Sequence, residues 1–243
     1  MRTWWHSFLI ALQFLTRIPV VKQIECTETE LGHSVLFYPV VGLFLGVLLL
    51  VFYAVIPSHD SGLLAALLLV LWVLATGALH LDGLADSADA LMGITHERER
   101  GLYGMAAVVT VTLVLIIKFA SLNIILATIP GWTALLAIPI LARTAIVLLF
   151  VTTPYTQGNG NGAVFAQHLP HQPAMIASAI AAVLGLLLLG VSGFAVITLI
   201  AGAGYLLRRL MMAKMGGASA GSSGAMIELT ETVALVAMAL VVG

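Results

Sequence analysis

The chain has 243 residues, 61% hydrophobic and only 9% charged, with a formal net charge of −1. Soluble domains carry about 25% charged residues, so a water-soluble globule is excluded, and the near-neutral balance gives no basis for nucleic-acid binding. The single cysteine, Cys26, rules out an internal disulfide and a Cys-rich metal site. The composition is that of a polytopic helical membrane protein, and no linker-like stretch divides 1–243 into more than one integral membrane domain.

The N-terminal segment "MRTWWHSFLIALQFLTRIPVV" superficially resembles a secretory signal. Its paired Trp4-Trp5, its internal Arg17-Ile18-Pro19 and the lack of a small-residue cleavage site keep it in the mature chain. Trp favours the headgroup level, which predicts an interfacial or partly inserted helix over Trp4–Pro19. A spanning helix needs about 20 mostly apolar residues. In chain order the apolar runs are Val35–Ile56, Gly62–Leu81, Leu102–Ile129, Trp132–Val151, Ala174–Gly190, Val191–Leu207 and Met226–Gly243. The fifth and sixth form one block, split at Gly190-Val191-Ser192-Gly193 because a single helix would be too long. The expected fold is therefore an all-α bundle of about seven spans plus the N-terminal helix. With a cytoplasmic N-terminus, Arg2, Arg17, Lys22, Arg98, Arg100, Arg208, Arg209 and Lys214 all fall on the cytoplasmic side. The loops 82–101, 152–173 and 208–225 lie there with them.

Directly after the second apolar run comes His80-Leu-Asp-Gly-Leu-Ala-Asp-Ser-Ala-Asp-Ala90. If the helix continues past Leu81, Asp82, Asp86 and Asp89 are spaced i, i+4, i+7 and share one face. Stacked carboxylates repel, so the pattern suits a solvated acidic helix end or a cation site. Gly83 and Ala85 leave room for a ligand, and carboxylates at membrane depth are costly unless paired or metal-bound. Oxygen-only ligands suit Mg²⁺ or Mn²⁺. All three carboxylates are expected in one cavity open to the cytoplasm. His80 reads either as a packing residue or as a direct ligand contact. Lys118 and Arg143 lie inside spans, where a charge is paired or functional. Lys118 has the alternative of snorkelling. Arg143 is expected to face the bundle interior, within reach of the Asp cluster, Glu228 or a bound phosphate, which a guanidinium grips bidentately. Glu228 and Glu231, i and i+3 at the start of the last run, are either site residues or helix-dipole compensation. Gly216, Gly217, Gly221 and Gly224 form a glycine-rich loop whose backbone N–H groups could approach phosphate. His168 and His171, flanking Pro170, read as loop residues.

The stretch "GALHLDGLADSADAL" resembles the signature of the cobalamin synthases (adenosylcobinamide-GDP ribazoletransferases). Phe14-Leu-Thr-Arg-Ile-Pro-Val20 resembles the family's N-terminal motif. Phe37-Tyr-Pro-Val-Val-Gly-Leu-Phe-Leu-Gly46 resembles its first span at Pro39, Gly42 and Gly46. Lys118 and Arg143 stand where the family carries a Lys and an Arg inside spans, and Gly224-Ala-Met-Ile-Glu-Leu-Thr-Glu231 resembles its C-terminal motif. The resemblance implies a multi-pass enzyme of the bacterial or archaeal cytoplasmic (inner) membrane, with its active site facing the cytoplasm. It implies the joining of adenosylcobinamide-GDP to α-ribazole or its 5′-phosphate, with release of GMP and a need for Mg²⁺. It assigns Asp82, Asp86 and Asp89 to catalysis and metal binding, and His80, Gly83, Arg17, Lys118, Arg143 and Glu228 to substrate binding. A homo-oligomer or association with other corrinoid-pathway enzymes is compatible with it. The family is distantly similar to CDP-alcohol phosphotransferases, which also use Asp-rich membrane helices. Attack on a pyrophosphate needs charge neutralisation, which metal ions supply by clamping phosphate oxygens. A carboxylate nearby could accept the proton of an attacking hydroxyl.

The chain departs from the family pattern at three places. A Gly-Gly-x-Thr-Gly-Asp-x-x-Gly-Ala stretch reads here Gly216-Gly-Ala-Ser-Ala-Gly-Ser-Ser-Gly-Ala225, so Gly221 stands in the carboxylate's slot. The loop "MGITHERERGLYG" is shorter, with Arg98 and Arg100 as approximate substitutes for a basic pattern. The segment Pro154-Tyr-Thr-Gln-Gly-Asn-Gly-Asn-Gly162 lacks the charges that members often carry. Two alternative functions follow. One is a cation-coupled transporter built on the Asp triad, which would call for paired inverted halves that the sequence does not show. The other is a catalytically impaired, corrinoid-binding member of the family.

Overall fold

A computed structural model describes residues 2–18, 26–57, 60–94, 102–128, 131–156 and 161–243. Lys22, Arg98 and Arg100 lie outside the described residues. The helices are α1 (Arg2–Leu15), α2 (Glu28–Ser34), a 3₁₀ turn (Val35–Phe37), α3 (Tyr38–Val55), α4 (Ser61–Thr76), α5 (Leu79–Leu91), α6 (Met105–Leu126), α7 (Trp132–Thr152), α8 (Asn161–His168), α9 (His171–Leu189), α10 (Ser192–Met215) and α11 (Ala220–Val242). Among the described residues the sole β-pairing is an isolated parallel bridge between Tyr155 and Ala218.

Six helical stretches are long and apolar enough to cross a membrane: Glu28–Val55, Met105–Leu126, Trp132–Thr152, His171–Leu189, Ser192–Met215 and Ala220–Val242. A seventh span results if the bent pair α4 and α5 counts as one. The bundle is thus polytopic and all-helical. Gly190 ends α9 at φ 59 and α10 begins at Ser192, so the long apolar block divides where its glycines stand. At about 1.5 Å per residue α1 is only some 21 Å long, too short to cross. It buries Ile10, Ala11, Leu12 and Leu15 and leaves Trp4 and Trp5 exposed.

Helices α7 and α11 are the most enclosed of the apolar helices. Helix α3 lies close against α7 through Gly42 and Gly46. A Cβ at Gly46 would fall 2.8 Å from the Leu135 carbonyl oxygen, and one at Gly42 would overlap the backbone of Pro139. Small residues four apart give the backbone-to-backbone approach that membrane helices use when lipid is as apolar as leucine. Leu45, Leu49, Leu135, Ile138 and Leu235 fill the core around this contact.

The second apolar run does not continue straight into the acids. Helix α4 stops at Thr76, and α5 leaves it at 86°. Gly77 (φ 62) and Ala78 (φ 56) both take the left-handed conformation. Their N–H groups bond back to Leu74 and Val73, and the freed Ala75 carbonyl accepts the Arg17 backbone N–H at 2.8 Å. With 16 residues α4 is about 24 Å long, short of the roughly 30 Å hydrocarbon core. The acidic stretch therefore lies on a helix set nearly at right angles to α4.

The bend generates a test. A Cβ at Gly77 would overlap the Arg17 side chain, whereas one at Gly93 (φ 72) meets nothing within 4 Å. A side chain in left-handed backbone costs about 1–2 kcal/mol. Gly93→Ala should show only this cost in denaturant unfolding, and Gly77→Ala should show a clearly larger one. Equal losses would mean that Arg17 does not brace the bend.

Candidate active site

Helix α5 packs lengthwise on α11, and the approach is set by glycine. A Cβ at Gly83 would stand 2.8 Å from the Gly221 carbonyl oxygen and 2.9 Å from Gly224 Cα. The space beside Gly83 is therefore largely taken by the backbone of α11, a correction to its reading as ligand room, although Gly83 does border the cavity described next.

Beside this close contact there is a cavity of about 450 Å³. It is lined by His80, Asp82 and Asp86 of α5, by Ala220, Gly221, Ser223 and Gly224 of α11, and by Tyr38, Phe150, Tyr155 and Phe165. Another hollow of about 500 Å³ lies between α7, α9 and α10, is almost wholly apolar, and is remote from these carboxylates. The α11 wall is not the expected loose glycine loop. Gly216 caps α10 in left-handed conformation, and Ser219 and Ser222 close a reciprocal capping box at the start of α11. Its positive dipole end thus borders the same cavity as the acids. The Ala218 N–H bonds to Pro154 and the Thr156 N–H to Ala218, which pins Tyr155 at the cavity rim. Burial pushes the Tyr155 phenol above its ordinary pKa, so it stays a protonated donor at neutral pH.

The three aspartates have different neighbours. Asp82 is exposed at the cavity and accepts a hydrogen bond from the Tyr103 hydroxyl. Asp86 follows one turn on, on the same face. Asp89 is buried and lies outside the cavity lining. Its oxygens accept the N–H groups of Gly104 at 2.7 Å and Ala107 at 2.9 Å. It caps α6, whose first N–H groups have no partner within their own helix. The shared cavity expected for all three is corrected to Asp82 and Asp86. Among the described residues no three His, Cys, Asp or Glu side chains form a metal-binding group. The oxygen donors facing the cavity are two carboxylates on one helix face, a set that fits Mg²⁺ held partly by substrate phosphate.

Behind this wall the intramembrane charges satisfy each other. Lys118 Nζ on α6 donates to Glu228 Oε2 at 2.5 Å and to Glu231 Oε2 at 2.6 Å. Arg143 on α7 pairs through Nη1 with Glu231 Oε1, which also accepts the Trp72 indole N–H of α4 at 3.2 Å. All four ionic side chains are nearly fully buried. Lys118 does not snorkel; its Nζ lies 5.6 Å from the Trp72 ring centre. Arg143 faces the interior as expected, but its carboxylate partner is Glu231. Glu228 and Glu231 occupy the third and fourth turns of α11, too far in for dipole compensation. Lys118, Arg143 and Glu228 do not line the cavity; Lys118 and Arg143 are ion-paired with Glu228 and Glu231. Arg17 is likewise off the cavity, packed at the bend. His80 does line it. Both its ring nitrogens, and Arg143 Nε and Nη2, are buried without a hydrogen-bond partner among the described residues.

Sequence reasoning undervalued Glu231. The signal available was charge balance: two bases and two acids at membrane depth demand pairing, and the i, i+3 spacing puts both acids on one face of α11. His168 ends α8, within 3.4 Å of Glu28, and His171 begins α9.

A family profile described as cobalamin-5-phosphate synthase matches residues 7–239. Curated relatives bear the name adenosylcobinamide-GDP ribazoletransferase. One from Stutzerimonas stutzeri is 45% identical over 97% of this chain and 98% of its own. One from Pseudomonas savastanoi is 44% identical over 96% and 98%, and one from Pseudomonas entomophila 45% over 97% and 99%. No solved structure matches.

Removing one member of a buried ion pair costs about 3–5 kcal/mol. Lys118→Met leaves Glu228 without a counter-charge and removes one of the two cations on Glu231, and should cost more than Glu228→Gln, which leaves Lys118 paired with Glu231. Unfolding by SDS titration reads the order, and a smaller loss for Lys118→Met would contradict this pairing.

Proposed function

The chain belongs to the cobalamin-5-phosphate synthase family, and on that premise we propose that it is an adenosylcobinamide-GDP ribazoletransferase of cobamide nucleotide-loop assembly. It would be a multi-pass enzyme of the bacterial inner membrane, with its cavity open to the cytoplasm. The observation that carries this reading is that Asp82 and Asp86 line one cavity together with the first turn of α11. The aspartates and the helix end give both signs of electrostatic complement to a pyrophosphate–metal substrate. The transporter alternative finds no support among the relatives.

A hydroxyl oxygen of α-ribazole, or of α-ribazole 5′-phosphate, forms a bond to the phosphorus on the cobinamide side. The pyrophosphate bridge breaks and GMP leaves with the bridging oxygen. A hydroxyl nucleophile passes its proton to a carboxylate. Mg²⁺ or Mn²⁺, held by Asp82 and Asp86, would supply neutralisation of the phosphate charge. Tyr103 orients Asp82 through its hydroxyl. The backbone of α11 at Ala220 and Gly221 attracts the anionic groups. Among the described residues both ring nitrogens of His80 lack a hydrogen-bond partner at the cavity wall, and His80 serves as a hydrogen-bonding contact for substrate. Asp89 holds α5 against α6, while Lys118, Arg143 and Glu228 set the position of α11.

GMP release from adenosylcobinamide-GDP and α-ribazole, with the purified chain in detergent and Mg²⁺, tests the proposal. Asp82→Asn and Asp86→Asn should each lower kcat/KM by roughly a hundredfold or more while the protein stays folded. Full activity in both variants, or no GMP from the folded native chain, would reject it.

Position 221 provides a separate measurement. A Cβ there would lie 3.2 Å from Asp86 Cβ and 3.5 Å from the Gly83 carbonyl oxygen. Gly221→Asp brings a third carboxylate to Asp86 and should tighten divalent-metal binding in calorimetry. Equal affinity would place position 221 outside the metal shell.

A further inference from the structure

The apolar hollow between α7, α9 and α10 has no part in the chemistry above. It measures about 500 Å³ and is walled by Leu141, Ala145 and Leu148 of α7, Ala182 of α9, and Ile200 and Gly204 of α10. All of these helices are long and apolar enough to cross the membrane. At one end the hollow reaches Tyr205 and Arg208, which also border a shallower hollow of about 590 Å³ containing Arg209. No acidic residue lines either hollow. Arg208 is held in place by hydrogen bonds to the Thr152 carbonyl from Nη2 at 2.7 Å and from Nε at 3.1 Å, and Nε also reaches Thr153 Oγ1 at 3.1 Å. Its charge has no carboxylate partner among the described residues.

We propose that this groove and its two-arginine mouth bind one anionic phospholipid, acyl chain between α7, α9 and α10 and phosphate on Arg208 and Arg209. An apolar slot on membrane helices is filled by acyl chain, and a basic mouth at its end selects a lipid phosphate. The fork of a guanidinium is shaped for phosphate oxygens, and the Thr152 contacts fix this one before binding. The mouth lies near the end of α10 that runs through Gly216 and Ala218 to the Tyr155 bridge. The lipid therefore props the end of the bundle that carries the catalytic cavity.

The test uses the full chain, delipidated in neutral detergent. Phosphatidylglycerol should raise Tm and survive as a single adduct in native mass spectra. Phosphatidylcholine and inorganic phosphate should do neither. Arg208→Ala with Arg209→Ala should weaken phosphatidylglycerol retention by roughly thirtyfold, the expectation for two juxtamembrane charges. Gly204→Leu provides a second route that keeps both arginines. A Cβ at Gly204 meets only Met226 Sδ, at 3.9 Å, so the leucine fills the groove and should displace the lipid. The proposal is overturned if phosphatidylcholine stabilises equally, if phosphate alone reproduces the shift, or if the double-alanine or the leucine variant retains phosphatidylglycerol as the native chain does.

Discussion

The buried carboxylate of Glu231 is the interaction on which the rest of this structure depends. It is shared by Lys118, Arg143 and the Trp72 indole. Lys118 carries its charge on to Glu228. Any of these charges alone at membrane depth would cost several kcal/mol; together they sum to zero. The network joins α4, α6, α7 and α11 at one level, and only one rotation of α11 satisfies it. Gly221, Gly224, Glu228 and Glu231 fall at offsets 0, 3, 7 and 10, a single helical face. The rotation that buries the two glutamates therefore also turns Gly221 and Gly224 toward Gly83. The ion pairs lie within the apolar helices and the cavity beside the start of α11, but one helix face carries both.

Helix α5 is held at both ends and borders the cavity between them. At its start the left-handed pair Gly77-Ala78 and the Arg17 backbone contact turn the chain by 86°. At its end Asp89 accepts two N–H groups of α6. Between these anchors Asp82 and Asp86 face the cavity. The division of labour follows from position: the aspartate nearest the next helix start satisfies backbone, and the two on the preceding turns remain at the ligand surface.

The apolar runs were legible because each is long enough to span and is interrupted by glycine, proline or charge. The split at Gly190-Val191 was legible because it carries a helix-ending glycine. The i, i+4 pairing of Asp82 and Asp86 holds on any α-helix, whichever way that helix points. The bend before it was hidden: Thr-Gly-Ala inside an apolar run reads as continuous, and only the non-local Ala75–Arg17 contact frees a carbonyl there. Asp89 was misread for the same reason, since its partners are backbone groups 15 and 18 residues away. Periodicity gives the face of a helix but not its neighbour. Arg143 and Lys118 could be recognised as needing carboxylates, while the choice of Glu231 over the Asp cluster depends on how α7 and α11 cross. Gly83 shows the limit most plainly, because a missing side chain marks a close approach without saying whether ligand or backbone makes it.

The central claim is that the ion network positions the site without touching substrate. Kinetics of the charge-balanced pair Lys118→Met with Glu228→Gln test it most directly, because Arg143 and Glu231 remain paired and the network stays neutral. The account predicts a folded enzyme that releases GMP with a KM for adenosylcobinamide-GDP within about threefold of the native chain, a difference of less than about 1 kcal/mol. A double variant that melts at the native temperature but has a KM raised more than about tenfold would place these side chains on the substrate and contradict the account.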